Sequence, residues 1–192
     1  MLIRELASMH RSDFNFMIST FEMDILQRHY KFPSSKLGLA PFFYQKEEHL
    51  NENTLPSFQE RKNLVCIGNF HHAPNRDAVK WLRFDIWPKI VEQFKQTYNG
   101  KTLPQLHIYG AYPRKEDLDL TSKELGFLVK GHLKDLQELS KYRVNLAPLR
   151  FGAGIKGKIA DGWRFGTPCV TTCFGAESMT LEEGENVIFG GL

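Results

Sequence analysis

One run near the C-terminal end carries residue types suited to a phosphate ester of a nucleoside: Pro148-Leu149-Arg150-Phe151-Gly152-Ala153-Gly154-Ile155-Lys156-Gly157-Lys158-Ile159-Ala160-Asp161. It joins an apolar strand to a helix through a turn rich in glycine. Glycines let backbone N–H groups approach an anion closely. The N-terminus of the following helix adds partial positive charge. Lys156 and Lys158 supply full positive charge. Asp161, one helical turn beyond Lys158, can accept hydrogen bonds from ribose hydroxyls. The plainer reading is a tight strand-to-helix turn with exposed lysines. Three glycines cost backbone entropy that a mere turn does not need.

The elements that must position this run follow an α/β pattern from residue 63 onward. Strands are expected at Asn63–Gly68, Leu106–Tyr109, Phe127–Lys130, Val144–Ala147, Pro168–Thr172 and Asn186–Phe189. Helices are expected from Asn75, as the cap, to Tyr98, from Leu136 to Tyr142 with Asp135 as cap, and from Ile155 to Phe165. Pro88 should start a new turn or kink the first of these. Alternating strands and helices predict a Rossmann-like parallel sheet with flanking helices. In such sheets the ligand crevice lies beyond the C-terminal ends of the strands. Three loops therefore point at one ligand: Asn69–Pro74, Gly131–Lys134 and Arg150–Gly157. Ahead of this region, Phe14–Ile18 and Leu37–Pro41 read as short strands around a helix at Phe21–Tyr30, capped by Ser19 or Thr20. The polar stretch 44–62 reads as a linker. The first strand has no evident sheet to join, and the chain stops just after the last strand. Both ends are expected to be cut from a larger, two-domain protein.

Hydrophobic residues make up 42 % of the 192 residues and charged residues 24 %, the balance of a globular chain with room for one domain and part of another. A net charge of +3 is too mild for a nucleic-acid partner, whereas a nucleotide needs only a local basic patch. Cys66, Cys169 and Cys173 cannot all pair, and Cys66 and Cys169 lie in apolar runs. They read as reduced thiols of a cytoplasmic protein, not as zinc ligands. No secretory leader and no membrane-length apolar run is evident, and contact with a membrane surface stays open. Asp117 and Asp119 have the spacing of a metal-binding pair but sit in a charged stretch, so they read as a solvated face, and no metal is expected. Trp81, Trp87 and Trp163 read as core. His71 and His72 read as solvated loop residues.

Leu64-Val65-Cys66-Ile67-Gly68-Asn69 through Asn75, the run 148–161, and Gly166-Thr167-Pro168-Cys169-Val170-Thr171-Thr172 with Gly175-Ala176-Glu177 resemble the C-terminal, donor-binding domain of group 1 glycosyltransferases (family 4, GT-B fold). Ser19-Thr20-Phe21-Glu22 through Pro33-Ser34-Ser35-Lys36-Leu37 resembles the close of the N-terminal domain. The resemblance implies residues 1–43 as the end of an acceptor domain, 44–62 as linker and 63–192 as an incomplete donor domain. It implies transfer of a sugar from a nucleotide-sugar, UDP- or GDP-linked, to a sugar, lipid or protein acceptor, usually with retention at the anomeric carbon and without a further cofactor. The carboxylate that holds the ribose falls on Asp161, where glutamate is usual, and the family's lysine falls on Lys158. These two are the implied catalytic positions. Gly152, Ala153, Gly154, Ile155 and Lys156 would give amides to the diphosphate, with Gly68 and Asn69 beside them. The family's Arg and Lys after the first glycine are replaced here by Asn69, Phe70 and His71. Phosphate charge then falls to Lys156, Lys158 and Arg150. The base would sit near Gly131, His132 and Leu133. The first glutamate of the family's pair has no equivalent, since Leu149 or Arg150 stands in its region.

Two other classes remain open on the sequence. A non-catalytic nucleotide- or protein-binding remnant would hold nucleotide without turnover. A nucleotide-sugar epimerase of related architecture would need no acceptor. The absence of G-x-G-x-x-G after Asn63–Gly68 counts against a dehydrogenase.

Overall fold

The computed structural model describes residues 2–41 and 55–179, and the backbone of Ile188–Phe189. Residues 44–54 of the expected linker and the start of the expected last strand, 186–187, lie outside the described residues. The chain opens with helix α1 (Leu2–Arg11), where the sequence analysis assigns no element. Strand β1 (Asn15–Met17), helix α2 (Thr20–Tyr30) and strand β2 (Leu37–Leu39) follow. Contrary to the expectation of a strand without a sheet, β1 pairs in parallel with β2, Asn15 opposite Leu37. Ser19 caps α2, its hydroxyl accepting from the Glu22 amide. Leu26, Phe32 and Leu37 form a small core against Leu6 and Met9 of α1.

The larger sheet begins with β3 (Leu64–Ile67). Helix α3 (Ala73–Trp81), a π-helical turn at Leu82–Ile86 and helix α4 (Trp87–Thr97) lead to β4 (Leu106–Tyr109). Short helix α5 (Lys115–Leu118), β5 (Phe127–Gly131), a 3₁₀ segment at Leu136–Lys141 and β6 (Val144–Ala147) come next. Helix α6 (Gly157–Arg164), β7 (Cys169–Thr171), α7 (Cys173–Ala176) and β8 (Ile188–Phe189) complete the order. The six strands run in the order β5-β4-β3-β6-β7-β8, and every pair is parallel. This is the expected Rossmann-like α/β sheet.

The strands are mostly apolar because both faces are covered. Val65 and Ile67 face Leu139, Tyr142 and Phe165. Cys66, between them, faces the opposite core of Phe70, Leu82, Trp87 and Ile108. Pro88 cannot donate a helical hydrogen bond and its ring crowds the carbonyl four residues back. The preceding turn widens to π geometry at Leu82–Ile86, and the chain then continues as helix. Helix α3 starts at Ala73 with His72 at its cap position and Pro74 in its first turn, so Asn75 is inside the helix and not its cap. The expected helix from Leu136 is the tighter 3₁₀ form, and Asp135 caps it as expected.

Chain connections lead from β3 outward to β4 and β5 on one side, and from β6 outward to β7 and β8 on the other. Loops leaving β3 and β6 therefore diverge and open a crevice between them. The end of β4 lies tight against β3, because a Cβ on Gly110 would collide with the Gly68 carbonyl oxygen.

Asp117 departs from the expected solvated face. It is only 1 % exposed. Its carboxylate accepts from the Arg114 amide at 2.9 Å and from Arg76 Nε at 3.2 Å. It thereby ties the loop after β4 to helix α3. Removing a buried carboxylate that satisfies two donors leaves both without an acceptor. Asp117→Ala is expected to lower unfolding stability by about 2 kcal/mol in urea denaturation. The exposed Asp119→Ala is expected to stay within about 0.5 kcal/mol. Equal effects of the two would contradict this role for Asp117.

Candidate functional site

A cleft of about 680 Å³ opens at the C-terminal ends of β3, β4, β5 and β6. That volume lies within the range of small-molecule sites. Gly68 and Asn69 line it after β3, His132 and Leu133 after β5, and Gly152, Ala153, Ile155 and Lys156 after β6. Lys158 and Asp161 line it from α6. The three loops singled out in the sequence thus meet at one cavity. Gly154 and Arg150 are not among its lining residues. Arg150 is turned away: its guanidinium makes two bonds to the Asp77 carboxylate, at 2.8 and 2.5 Å. In this structure the Arg150 side chain engages Asp77 and does not line the cleft. A full guanidinium charge finds a bidentate carboxylate on α3.

The glycine-rich turn takes its shape from backbone that only glycine adopts readily. Gly152 has φ +120° and Gly154 φ +77°. Lys156 is 8 % exposed. Its ammonium donates to the carbonyl oxygens of Gly152 at 3.1 Å and Gly154 at 2.5 Å. Two of the turn's carbonyls are thereby occupied from within. Burial lowers the Lys156 pKa, and the charges of Glu177 and Glu22 oppose that shift. No side chain caps the start of α6. Its first amides are the kind of donors that accept an anion.

Lys158 sits one turn before Asp161 on α6, half-buried. Its ammonium donates to Asn75 Oδ1 at 2.5 Å. Asn75 in turn donates through Nδ2 to the Asn69 carbonyl at 2.9 Å. Gly68 makes room for this, since a Cβ there would stand 2.7 Å from Asn75 Cγ. Loss of solvent pushes the Lys158 pKa down. Burial pushes the Cys66 and Cys169 thiols up, Cys169 to about 12. They are protonated at neutral pH and are poor nucleophiles. Asn145, fully buried, holds the Lys158 carbonyl through Nδ2 at 3.0 Å.

Sequence reasoning missed part of the wall. Asn75, expected as a helix cap, lies inside α3 and accepts from Lys158. His72, expected to be a solvated loop residue, lines the cleft. Tyr109 lines it too, braced from behind. The Tyr142 hydroxyl donates to the Tyr109 oxygen at 3.1 Å and lies 2.9 Å from His107 Nδ1. Burial drives the Tyr142 phenol well up and the His107 imidazole down, so this brace is neutral. A tyrosine at a strand end followed by glycine was the available signal. Exposed His71 packs edge-on to Tyr112 outside the cleft. Trp87 is fully buried, as expected of core. Among the described residues no three His, Cys, Asp or Glu side chains are grouped to hold a metal ion, and no helix is long and apolar enough to cross a membrane.

An ammonium held out of water costs stability that a methionine of similar length does not. Lys158→Met is therefore expected to be at least as stable as the parent in urea denaturation. Asn75→Leu, which leaves the ammonium without its oxygen, is expected to lose about 2 kcal/mol. A loss of more than about 1 kcal/mol in Lys158→Met would contradict a charge kept against its desolvation cost.

The family model for glycosyl transferases group 1 matches residues 61–190. No match was found among curated proteins. Among solved structures, a glycosyltransferase from Rickettsia africae superposes with TM-score 0.59 at 12 % identity, over 88 % of this chain and 47 % of that one. TarM gives 0.62 at 18 % identity, over 95 % and 34 %. HepE from Anabaena, solved with UDP and glucose, gives 0.60 at 10 % identity, over 93 % and 49 %. At such identities the likeness is one of fold. The chain spans between a third and a half of the length of these three structures. Its parallel sheet with flanking helices matches GT-B glycosyltransferase structures. With the family model covering residues 61–190, this chain belongs to the group 1 glycosyl transferases.

Proposed function

We propose that the cleft binds a nucleoside-diphosphate sugar, and that the full-length protein transfers the sugar to an acceptor with retention. The observation that carries this reading is the convergence, in one cavity, of an uncapped helix start, a glycine-rich turn and the Lys158 ammonium. All three are donors to an anion. Negative charge develops on the departing diphosphate, and preorganised donors stabilise it most there. In this reading the turn amides of residues 152–156 and Lys158 hold the diphosphate. Asp161 accepts from the ribose hydroxyls, and the base lies by His132 and Leu133. HepE, solved with UDP and glucose, is a structural neighbour with the same kind of ligand.

Residues 1–43 then belong to the acceptor half, 44–62 to a linker and 63–192 to the donor domain. The acceptor is a sugar, a lipid or a protein, met in the cleft between the two halves. All three cysteines are free, which fits a reducing compartment such as the cytoplasm.

The test is calorimetric titration with UDP, GDP and ADP. One of the three is expected to bind. Lys158→Ala and Asp161→Ala are each expected to weaken it at least tenfold, about 1.4 kcal/mol. A folded sample that binds none, or variants that bind as the parent does, would contradict the reading.

Proton linkage gives a second check. The Lys158 pKa is depressed in the free protein. Between that depressed value and the ordinary lysine value, the unfolded chain binds more protons than the folded one. Through this group, then, the free fold gains stability as pH rises across that window. A bound diphosphate favours the ammonium and reverses the shift. Binding should therefore take up protons, and affinity should fall as pH rises through the depressed pKa. Titrations in buffers of different ionisation enthalpy measure the uptake. Proton release in that window would contradict the assignment.

A further inference from the structure

We infer that Arg150 is a positioning residue for the nucleotide site: it clamps the glycine-rich turn onto helix α3, and in doing so sets where the turn's amides point. This rests on the reading of the cleft as a diphosphate site. Three residues of α3 carry the observation. Pro74, Asp77 and Trp81 lie at spacings of three and four, on one face of the helix. All three touch the turn or the residue that starts it. Arg150 makes two bonds to the Asp77 carboxylate, at 2.8 and 2.5 Å. Its guanidinium carbon lies 5.2 Å from the centre of the Trp81 ring. Gly152 comes so close that a Cβ there would stand 3.1 Å from Pro74 Cγ. A whole face of α3 is thus given to one loop.

The place of this contact matters. Helix α3 follows β3, and the turn follows β6. These are the two strands whose outgoing loops diverge to open the crevice. Arg150 and Asp77 bridge that divergence. Behind them, the Thr172 hydroxyl donates to the Leu149 carbonyl and fixes the residue before the clamp. Lys156 holds the far end through the carbonyls of Gly152 and Gly154. The turn is pinned at both ends, by Arg150 through Asp77 and by Lys156 through the turn's own carbonyls.

A partly exposed ion pair contributes little to global stability. Its planar, bidentate geometry instead fixes orientation, which lysine cannot reproduce. The clamp therefore acts on ligand geometry more than on folding. It should affect the phosphates and not the base.

The test uses the whole chain and compares the parent with Arg150→Lys, Asp77→Asn and the double variant. Each is titrated with the nucleoside diphosphate that the parent binds and with the matching phosphate-free nucleoside, alongside a thermal midpoint. Each single variant is expected to weaken the diphosphate roughly fivefold while leaving the nucleoside and the midpoint unchanged. The double variant is expected to be no weaker than the worse single, as for two halves of one contact. Unchanged diphosphate affinity in the single variants would overturn the inference. So would an equal fall for diphosphate and nucleoside, or independent, additive losses in the double variant. A parent that binds no nucleotide overturns the underlying reading, and the inference with it. A parent that binds, with variants that do not differ, overturns the inference alone.

Discussion

A lysine ammonium drawn out of bulk water at the mouth of a parallel sheet sets the terms for its surroundings. Lys158 keeps a positive charge where solvent no longer supports it, so the protein must supply oxygen. It does so with Asn75, a neutral partner, and not with a carboxylate. A carboxylate would neutralise the charge that an anion needs. Asn75 is steadied by the Asn69 carbonyl. Gly68 is bare so that Asn75 can stand where it does. Asn145 holds the backbone of Lys158 from below. Much of the cleft floor follows from keeping one cation charged and aimed.

The other cations of the same run are used differently. Arg150 is spent on Asp77 and Trp81, and Lys156 on the turn's own carbonyls. Three basic residues within nine positions therefore divide into two that shape the turn, of which Lys156 also lines the cleft, and one that is held by Asn75. The division explains how so small a net charge serves an anion site: the field is local and oriented, not a broad basic surface. The loop after β4 shows the same economy, with buried Asp117 joining Arg114 and Arg76 to fix the wall that carries Gly110 and Ala111.

The sheet was readable from the sequence because doubly buried parallel strands are short apolar runs bounded by glycine, proline or polar residues. Leu64–Ile67 is such a run, and Val144–Ala147 is one with a single polar residue, Asn145. The three site loops followed from topology alone. Helix α1 was missed because a surface helix bears only a thin stripe, here Leu6 and Met9, and no strong cap announces it. The bond from Arg150 to Asp77 is not legible in the sequence, because composition gives charge but not direction and Asp77 is distant along the chain. Asn75 was misread for a related reason: a polar residue near a helix start looks like a cap, and only the fold shows Lys158 opposite it. Asp117 looked solvated because a charged neighbourhood usually is. Its burial depends on Arg76, forty-one residues away.

The central claim is that the backbone amides of the glycine-rich turn and the start of α6 receive the diphosphate. Hydrogen exchange on the chain, with and without a saturating nucleoside diphosphate, tests it most directly. The account predicts slowed exchange concentrated at residues 152–158, with a second protected stretch at 131–134 beside the base. Saturation that leaves 152–158 unchanged, with protection gathered elsewhere on the chain, would contradict it.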